Sequence, residues 1–228
     1  MAFLLALETS STVCSVALYN KEQLLGVSEL QIEKSHSSHI TVLIQQLLQN
    51  CQVKPHDLSA VAISGGPGSY TGLRIGSATA KGLCYALDIP LIEVSTLEAL
   101  AAEAINFTPQ PDNYFFCPML DARRMEVYAC LVNHQLEIIQ PISPIILEAE
   151  YLMEILAQNK IIFAGNGAEK FEALVQNKEN AFFLKNIKPT AVGVGKLAVP
   201  KLEKKDFQNL AYYEPFYLKE VYITSSIK

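Results

Sequence analysis

The sequence lacks the features of a membrane-spanning or secreted protein. It contains no uninterrupted apolar run of about 18 residues, the length that a membrane helix needs. The first residues, MAFLLALETSS, carry no basic segment, and their apolar stretch ends at Glu8, unlike a secretory signal. We therefore predict a soluble, cytoplasmic protein without a membrane partner.

Basic charge is also in short supply. Lys and Arg number 18 against 23 Asp and Glu, which gives a net charge of −5. This balance argues against a broad basic face for a phosphate backbone, although a local patch is compatible with it. The chain alone is not expected to bind nucleic acid strongly.

Patterns of metal-binding and catalytic residues are scarce as well. The five cysteines are odd in number and form no Cys-x-x-Cys pair, which favours buried, reduced thiols. His36 and His39 lie three residues apart with no Asp, Glu or Cys nearby, a poor arrangement for a metal. No Ser/His/Asp order and no pair of catalytic carboxylates stands out. We predict no metal site.

A regular alternation of strands and helices is present instead. Half of the 228 residues are hydrophobic, enough for one compact domain or two small ones. Apolar runs predict strands at 3–7, 14–19 and 26–32, and from Ser37 the apolar residues recur at helical spacing. Residues 1–106 as a whole read strand, strand, strand, helix, strand, helix, strand, helix.

A second copy of this pattern follows a Pro-rich polar stretch, Asn106–Asn113. FCPMLDARRMEVYACLVN repeats the order strand, acidic turn, strand that LLALETSSTVCSVALYN shows near the start, which suggests an internal duplication. We predict two subdomains, 1–106 and 107–228, the second one reduced, with a short strand around 136–139 and a helix over about 148–159. The tail LAYYEPFYLKEVYITSSIK has no clear period, and its structure is not predicted.

The stretch AISGGPGSYTGLRIG holds five glycines between an apolar run and a helix predicted from about Leu73 to Leu87. A glycine-rich turn that opens a helix directs backbone N–H groups towards an anion. The stretch has neither the Walker sequence nor the spacing of the dinucleotide fingerprint. Two interpretations stay open. One is a phosphate site with Glu8, Thr9, Gly66 and Gly68. The other is a structural role, in which Gly65, Gly66, Gly68 and Gly72 allow a tight turn and Gly76 and Gly82 let another helix come close.

Five segments in order resemble the bacterial TsaB family, also called YeaZ: LALETSSTVCSVAL, HSSHITVLIQQLL, ISGGPGSYTGLRIG, VSTLEALA and LDARRMEVYA. The resemblance covers roughly residues 3–130, and beyond them only FAGNGAEKF matches a family feature. It implies an α/β fold of the actin/Hsp70/sugar-kinase-like (ASKHA) class, with two related subdomains of mixed sheets flanked by helices.

The resemblance also implies a role. TsaB proteins are non-catalytic partners of their paralogue TsaD, which with the ATPase TsaE forms N6-threonylcarbamoyladenosine beside the anticodon of ANN-decoding tRNAs. TsaD proteins bind a metal through His-x-x-x-His, whereas His36 and His39 give only His-x-x-His in an earlier helix, and a second nucleotide loop is lacking. These departures favour a pseudoenzyme without its own cofactor, with ATP or ADP at most at the complex interface and tRNA bound only through the complex.

Members of the family pair through two N-terminal helices that form a four-helix bundle, as a heterodimer with TsaD or as a homodimer. Three alternatives remain. The first is an enzyme of the same fold, such as a small-metabolite kinase. The second is an M22-like metalloprotease, and the third is a scaffold unrelated to tRNA. The residues predicted to form the partner interface lie on the first two helices: Val42, Gln46, Leu73, Ser77, Ala80 and Cys84.

Overall fold

The N-terminal half is a mixed five-stranded sheet with helices on both faces. The protein is described by a computed structural model that covers residues 2–32, 36–176 and 178–218. In the first sheet the strand order is β3-β2-β1-β4-β5, with β1 antiparallel to β2 and parallel to β4. Its elements are β1 Phe3–Glu8, β2 Cys14–Asn20, β3 Gln23–Leu30, α1 His36–Asn50, β4 Leu58–Gly66, α2 Tyr70–Leu87, β5 Leu91–Ser95 and α3 Thr96–Asn106.

The second half repeats this topology. Its sheet has the order β8-β7-β6-β9-β10, which is the order of the first sheet when each strand is matched to its counterpart. The predicted internal duplication is therefore confirmed at the level of topology. The elements are β6 Phe115–Asp121, β7 Glu126–Val132, β8 Ile138–Ile146, α4 Met153–Leu156, β9 Ile161–Ala164, α5 Ala168–Glu172, β10 Ala181–Leu184 and α6 Ala191–Lys204.

Alternation along the central strands explains how the first sheet is covered. Leu5 and Leu7 of β1 face the side packed by α1 and α2, while Leu4 and Ala6 face the side packed by α6. The predicted apolar stripe of α1 is confirmed as its buried face. It consists of Ile40, Leu43, Ile44, Leu47 and Leu48.

The structure differs from the sequence predictions at three elements. The helix predicted over 148–159 shrinks to the single turn of α4, because Leu152 takes a left-handed φ of 59° just before it. β8 extends further than the short strand predicted around 136–139, since an edge strand accommodates Pro141 and Pro144, which lack an N–H to donate. The short strand β10 was not predicted.

The C-terminal end of the chain returns to the first sheet. Tyr19 of β2 donates its hydroxyl to the carbonyl of Val192 in α6 at 2.8 Å. Beyond α6, residues 207–218 form an irregular segment, the C-terminal strap, whose Gln208 N–H donates to the carbonyl of Leu91 at 2.9 Å. The boundary at residue 106 stays a prediction, and packing on the first sheet is shared by elements on both sides of it. Residues 219–228 of the tail lie outside the described residues.

The cysteines agree with the expectation of buried, reduced thiols. All five thiols are free, and four of them are buried. Burial raises the pKa of Cys14 and of Cys84 to about 11 in each case, so these thiols are protonated at neutral pH. In the described part of the chain, no helix has the length and apolarity to cross a bilayer.

Candidate partner interface and glycine loop

The glycine loop is filled from one side by the chain's own backbone. The tip of the first hairpin lies against it: the Ser69 N–H donates to the carbonyl of Ser10 at 2.7 Å, and the Thr9 hydroxyl donates to the carbonyl of Gly72 at 2.9 Å. A Cβ on Gly72 would collide with the Thr9 carbonyl oxygen, and a Cβ on Gly68 would lie 2.6 Å from that of Ser10. These glycines therefore serve a close approach of two backbone segments.

The C-terminal strap covers the loop from another side. The Phe216 N–H donates to the carbonyl of Gly65 at 2.7 Å. Gly66 has a φ of +118°, and a Cβ there would lie 2.5 Å from the carbonyl oxygen of Phe216. The contacts favour the interpretation of the loop as a tight turn with close packing over that of a phosphate cradle.

Helix α2 begins three residues earlier than its apolar pattern predicts. Ser69 caps it, with its hydroxyl accepting the N–H of Gly72 at 3.3 Å. The first turn from Tyr70 carries polar and glycine residues rather than an apolar stripe, which is why periodicity alone placed the start near Leu73. One N–H group that an anion would need is already satisfied by this cap.

Glu8, the acidic residue proposed for a nucleotide site, is completely buried. Its Oε1 atom accepts both the N–H and the hydroxyl of Ser10 at 2.5 Å, whereas Oε2 has no hydrogen-bond partner. The nearby hydroxyl of Ser64 on the adjacent strand also lowers the pKa of Glu8, although it makes no hydrogen bond. Burial dominates and raises this pKa, which favours a neutral carboxylic acid that holds the hairpin tip.

A cleft of about 1300 Å³ separates the tip of the β1–β2 hairpin from the tip of the β6–β7 hairpin. One wall carries the hydroxyls of Ser11 and Thr12, and the other carries Arg123 and Arg124. The acidic turn of the second half is tied down, because Asp121 accepts a charge-assisted hydrogen bond from Lys170 at 2.6 Å. That acid serves as a structural anchor of the turn.

The histidine pair does not assemble into a metal site. The Nε2 atom of buried His36 lies 3.1 Å from the carbonyl oxygen of Val13, and Nδ1 of His39 lies 2.8 Å from the Ser38 hydroxyl. Among the residues that the structure covers, no three His, Cys, Asp or Glu side chains are grouped as metal ligands would be.

The outer sides of α1 and α2 form an open apolar groove. Val42 is 43% exposed and Gln46 is also exposed, so both lie on the surface as predicted for interface residues, although the interface itself stays a prediction. The groove has a volume of about 770 Å³. It is lined by Thr41, Ile44, Gln45, Leu48, Gln49, Val53, Lys54, Pro55, Leu58, Ala78, Thr79, Gly82 and Leu83.

The four α2 residues predicted for the interface face inward, which corrects the predicted orientation of this helix. Leu73, Ala80 and Cys84 are at most 1% exposed and Ser77 is 6% exposed. The small side chains of Ser77, Ala80 and Cys84 let α2 pack closely on the first sheet, and Leu73 fills the core beneath the helix. Direct contact of these four with a partner is therefore excluded while α2 stays on the sheet.

The outward face of α2 has its own small residues, which lie outside the set predicted for the interface. Ala78 and Gly82 are exposed and lie one turn apart. A Cβ placed on Gly82 meets no atom within 4 Å, so nothing within the described chain requires glycine there. Every other described glycine would bring a Cβ into contact with a neighbouring residue.

Comparison with known proteins gives consistent matches along most of the chain. A family model described as "TsaD: tRNA N6-adenosine threonylcarbamoyltransferase" matches residues 12–224. The chain is 30% identical to the tRNA threonylcarbamoyladenosine biosynthesis protein TsaB of Bacillus subtilis (strain 168), over 76% of this chain and 75% of that protein.

Solved structures give matches that agree with those from the sequence comparison. YeaZ from Pseudomonas aeruginosa is similar with a TM-score of 0.82 and 28% identity, over 96% of this chain and 100% of that one. The activator of 2-hydroxyisocaproyl-CoA dehydratase from Clostridium difficile, solved with bound ADPNP, has a TM-score of 0.52 at 9% identity, over 91% of this chain and 99% of that one. The second likeness concerns the fold alone. Together with the duplicated strand order, these neighbours confirm the actin/Hsp70/sugar-kinase-like fold.

Proposed function

Because the chain belongs to the TsaB family, also called YeaZ, we propose that it is the non-catalytic partner subunit of a TsaD protein. In this role it supports, together with TsaE, the formation of N6-threonylcarbamoyladenosine next to the anticodon of ANN-decoding tRNAs. The family membership supports a part in threonylcarbamoyladenosine biosynthesis. The assignment as a partner subunit is the finer step, and it depends on the outer face of α1 and α2.

Gly82 is the observation that carries this step. A glycine in the interior of a helix destabilises it by about 1 kcal/mol relative to alanine. No neighbouring atom of the described chain occupies the space that a Cβ on Gly82 would take, so internal packing does not account for it. With Ala78 one turn before it, Gly82 offers a flat site where the backbone of another helix approaches closely, beside the apolar groove.

The pairing we propose is a bundle of α1 and α2 with the matching helices of the partner. Val42 and Gln46 contribute from the exposed face of α1. The groove supplies apolar surface. Docking removes this surface from water, which stabilises the complex by roughly 25 cal/mol per Å² of apolar area buried. The same face serves a homodimer when the chain is alone.

A non-catalytic role is supported by what fills the glycine loop. The backbone of Thr9 and Ser10 occupies its inner side, and Phe216 covers it from the strap. The buried Glu8 directs its carboxyl group into the interior. We propose that the subunit has no cofactor of its own, that ATP or ADP binds at most at the complex interface, and that tRNA is contacted through the complex.

The test is the mass of the complex in solution. Size-exclusion chromatography with light scattering on the wild-type chain mixed with its TsaD counterpart is expected to give a one-to-one heterodimer. Gly82→Arg is expected to abolish the heterodimer while leaving thermal unfolding unchanged or improved, because the new side chain extends into open space. Gln158→Arg adds the same charge at an exposed position in the second half and is the matched control.

Two outcomes contradict the proposal. If Gly82→Arg pairs as the wild type does, the α1–α2 face is not the interface. If the wild type fails to pair and the isolated chain binds ATP stoichiometrically, the small-metabolite kinase becomes the better assignment.

A further inference from the structure

We propose that the C-terminal strap, residues 207–218, is a third element of the partner surface, and that Tyr85 and Tyr212 are its aromatic contacts. The inference rests on the proposed function, since the occupant is the same TsaD-like partner. It adds a part of the chain that lies far in sequence from α1 and α2.

The strap is fixed to α2 on the side opposite α1. Tyr213 is only 6% exposed, and its ring belongs to the core that α1 and α2 form with the first sheet. The ammonium group of Lys81 in α2 donates to the carbonyl of Tyr213 at 3.1 Å. The Gln208 N–H is bonded to β5, so the strap is held at several points before it reaches the glycine loop.

The end of the strap is held to the first turns of α2. The ring of Tyr217 lies 5.0 Å from that of Tyr70, and the Arg74 guanidinium lies 4.4 Å from the centre of the Tyr70 ring. Helix α2 is thus held between α1 and the strap, and a partner that docks on α2 meets the strap as well.

Two exposed tyrosines lie where α2 meets the strap. Tyr85 is 84% exposed and Tyr212 is 83% exposed, more than any other large hydrophobic side chain in the described part of the chain. Lys81 precedes Tyr85 by one turn and donates to the carbonyl of Tyr213, the residue after Tyr212, so one hydrogen bond links the two segments that carry the tyrosines. Their backbones are held by the core, which lowers the entropy that docking would otherwise cost.

Position along α2 makes the tyrosines continuous with the proposed bundle face. At 100° per residue, positions 78, 82 and 85 share the outward side of the helix. A partner helix seated at Gly82 therefore reaches the groove on one side and Tyr85 on the other. Tyrosine is among the residues that most often dominate binding energy at protein interfaces.

Continuity with the proposed bundle face identifies the occupant. Tyr85 lies with Gly82 on the outward side of α2, so the TsaD-like protein that docks at Gly82 also reaches the strap. The charges around the tyrosines are mixed, because Arg74 of α2 interacts electrostatically with Glu214 of the strap. We therefore assign the patch to the TsaD-like partner on the ground of this continuity.

The experiment compares Tyr85→Ala and Tyr212→Ala with the wild type in the full-length chain, with affinity for the TsaD counterpart measured by calorimetric titration. Each substitution is expected to weaken binding at least tenfold and to leave the melting temperature unchanged, because both rings are exposed. Phe107→Ala is the matched control. Phe107 is 65% exposed at the end of α3, on the other side of the first sheet, and its loss is expected to leave affinity unchanged.

The outcomes separate this inference from the proposed function. If the wild type pairs and Gly82→Arg does not, while both tyrosine variants bind within twofold of the wild type, the strap is not part of the surface and the proposed function stands. If the variants weaken only self-association, the patch belongs to a second copy and the inference is wrong. If the wild type does not pair at all, both are wrong.

Discussion

At the scale of single residues, Glu8 shows how a motif acid takes a structural role. A carboxyl group at the tip of a first hairpin invites a nucleotide-binding interpretation, yet this one lies in the interior with one oxygen bonded twice to Ser10. The other oxygen and the hydroxyl of neighbouring Ser64 both lack partners. A protonated Glu8 suits this environment better than an ionised one.

Replacing Glu8 by glutamine is expected to stabilise the protein at neutral pH. Burial raises the folded-state pKa of Glu8 above its ordinary value of 4.5. Its contribution to stability is therefore fully present below pH 4.5 and is lost as the pH rises through the folded-state pKa. Glu8→Gln keeps an acceptor for Ser10 and never ionises, so its advantage in urea unfolding is expected to grow between pH 4.5 and pH 8.

The exposed Glu22→Gln is the control for this change. It is expected to leave the free energy of unfolding unchanged relative to the wild type at every pH. If the Glu8→Gln and wild-type stabilities instead ran parallel with pH, Glu8 would be ionised in the folded protein and the assignment would fail.

At the scale of elements, α2 presents small residues on two sides, and the sequence does not distinguish them. Ser77 and Ala80 face the sheet, whereas Ala78 and Gly82 face outward. Close approach needs small side chains whichever surface is approached. For this reason the helix was predictable while its partner-facing side was not.

Charged substitutions on the two sides of α2 are expected to act differently. Ala80→Asp places a charge in the core, where an uncompensated carboxylate costs several kcal/mol, so it is expected to unfold the N-terminal half. Ala78→Asp lies on the surface and is expected to keep the fold and weaken pairing. Circular dichroism and light scattering on both variants check this, and a folded Ala80→Asp that fails only to pair would restore the original orientation.

Other elements show where a sequence pattern is enough to predict the structure and where it is not. The stripe of α1 was predictable because it has one apolar face, which the sheet covers. The hairpin of β1 and β2 was predictable because its polar turn separates two apolar runs. The strap has no period, since its positions are fixed by contacts with Leu91, Lys81 and Gly65, all distant in sequence. Burial of Glu8 likewise depends on distant packing.

At the scale of the whole molecule, the strap and α6 connect the end of the chain to its beginning. Tyr213 is the buried point of that connection, and its hydroxyl has no hydrogen-bond partner. Burial raises its pKa, so the neutral phenol is the folded form.

Substitutions at Tyr213 are expected to separate packing from hydrogen bonding. Tyr213→Ala removes a buried ring and is expected to lower the free energy of unfolding by about 3 kcal/mol, within the range for large aromatic truncations. Tyr213→Phe removes only an unsatisfied hydroxyl and is expected to be neutral or stabilising. Chemical denaturation of both variants measures this, and a large loss with phenylalanine would mean that the hydroxyl is bonded.

The return of α6 to the first sheet also governs when this protein becomes complete during synthesis. One face of that sheet, with Leu4, Ala6, Ala62 and Val94, is covered by α6, which begins only at Ala191. A ribosome that has made the whole N-terminal half therefore presents a sheet with much of one apolar side uncovered, since α3 packs on this sheet mainly at β4 and β5. The first sheet is fully covered only after the second half has been translated. A chain that stops early therefore exposes apolar surface, which makes it a substrate for chaperones and proteases.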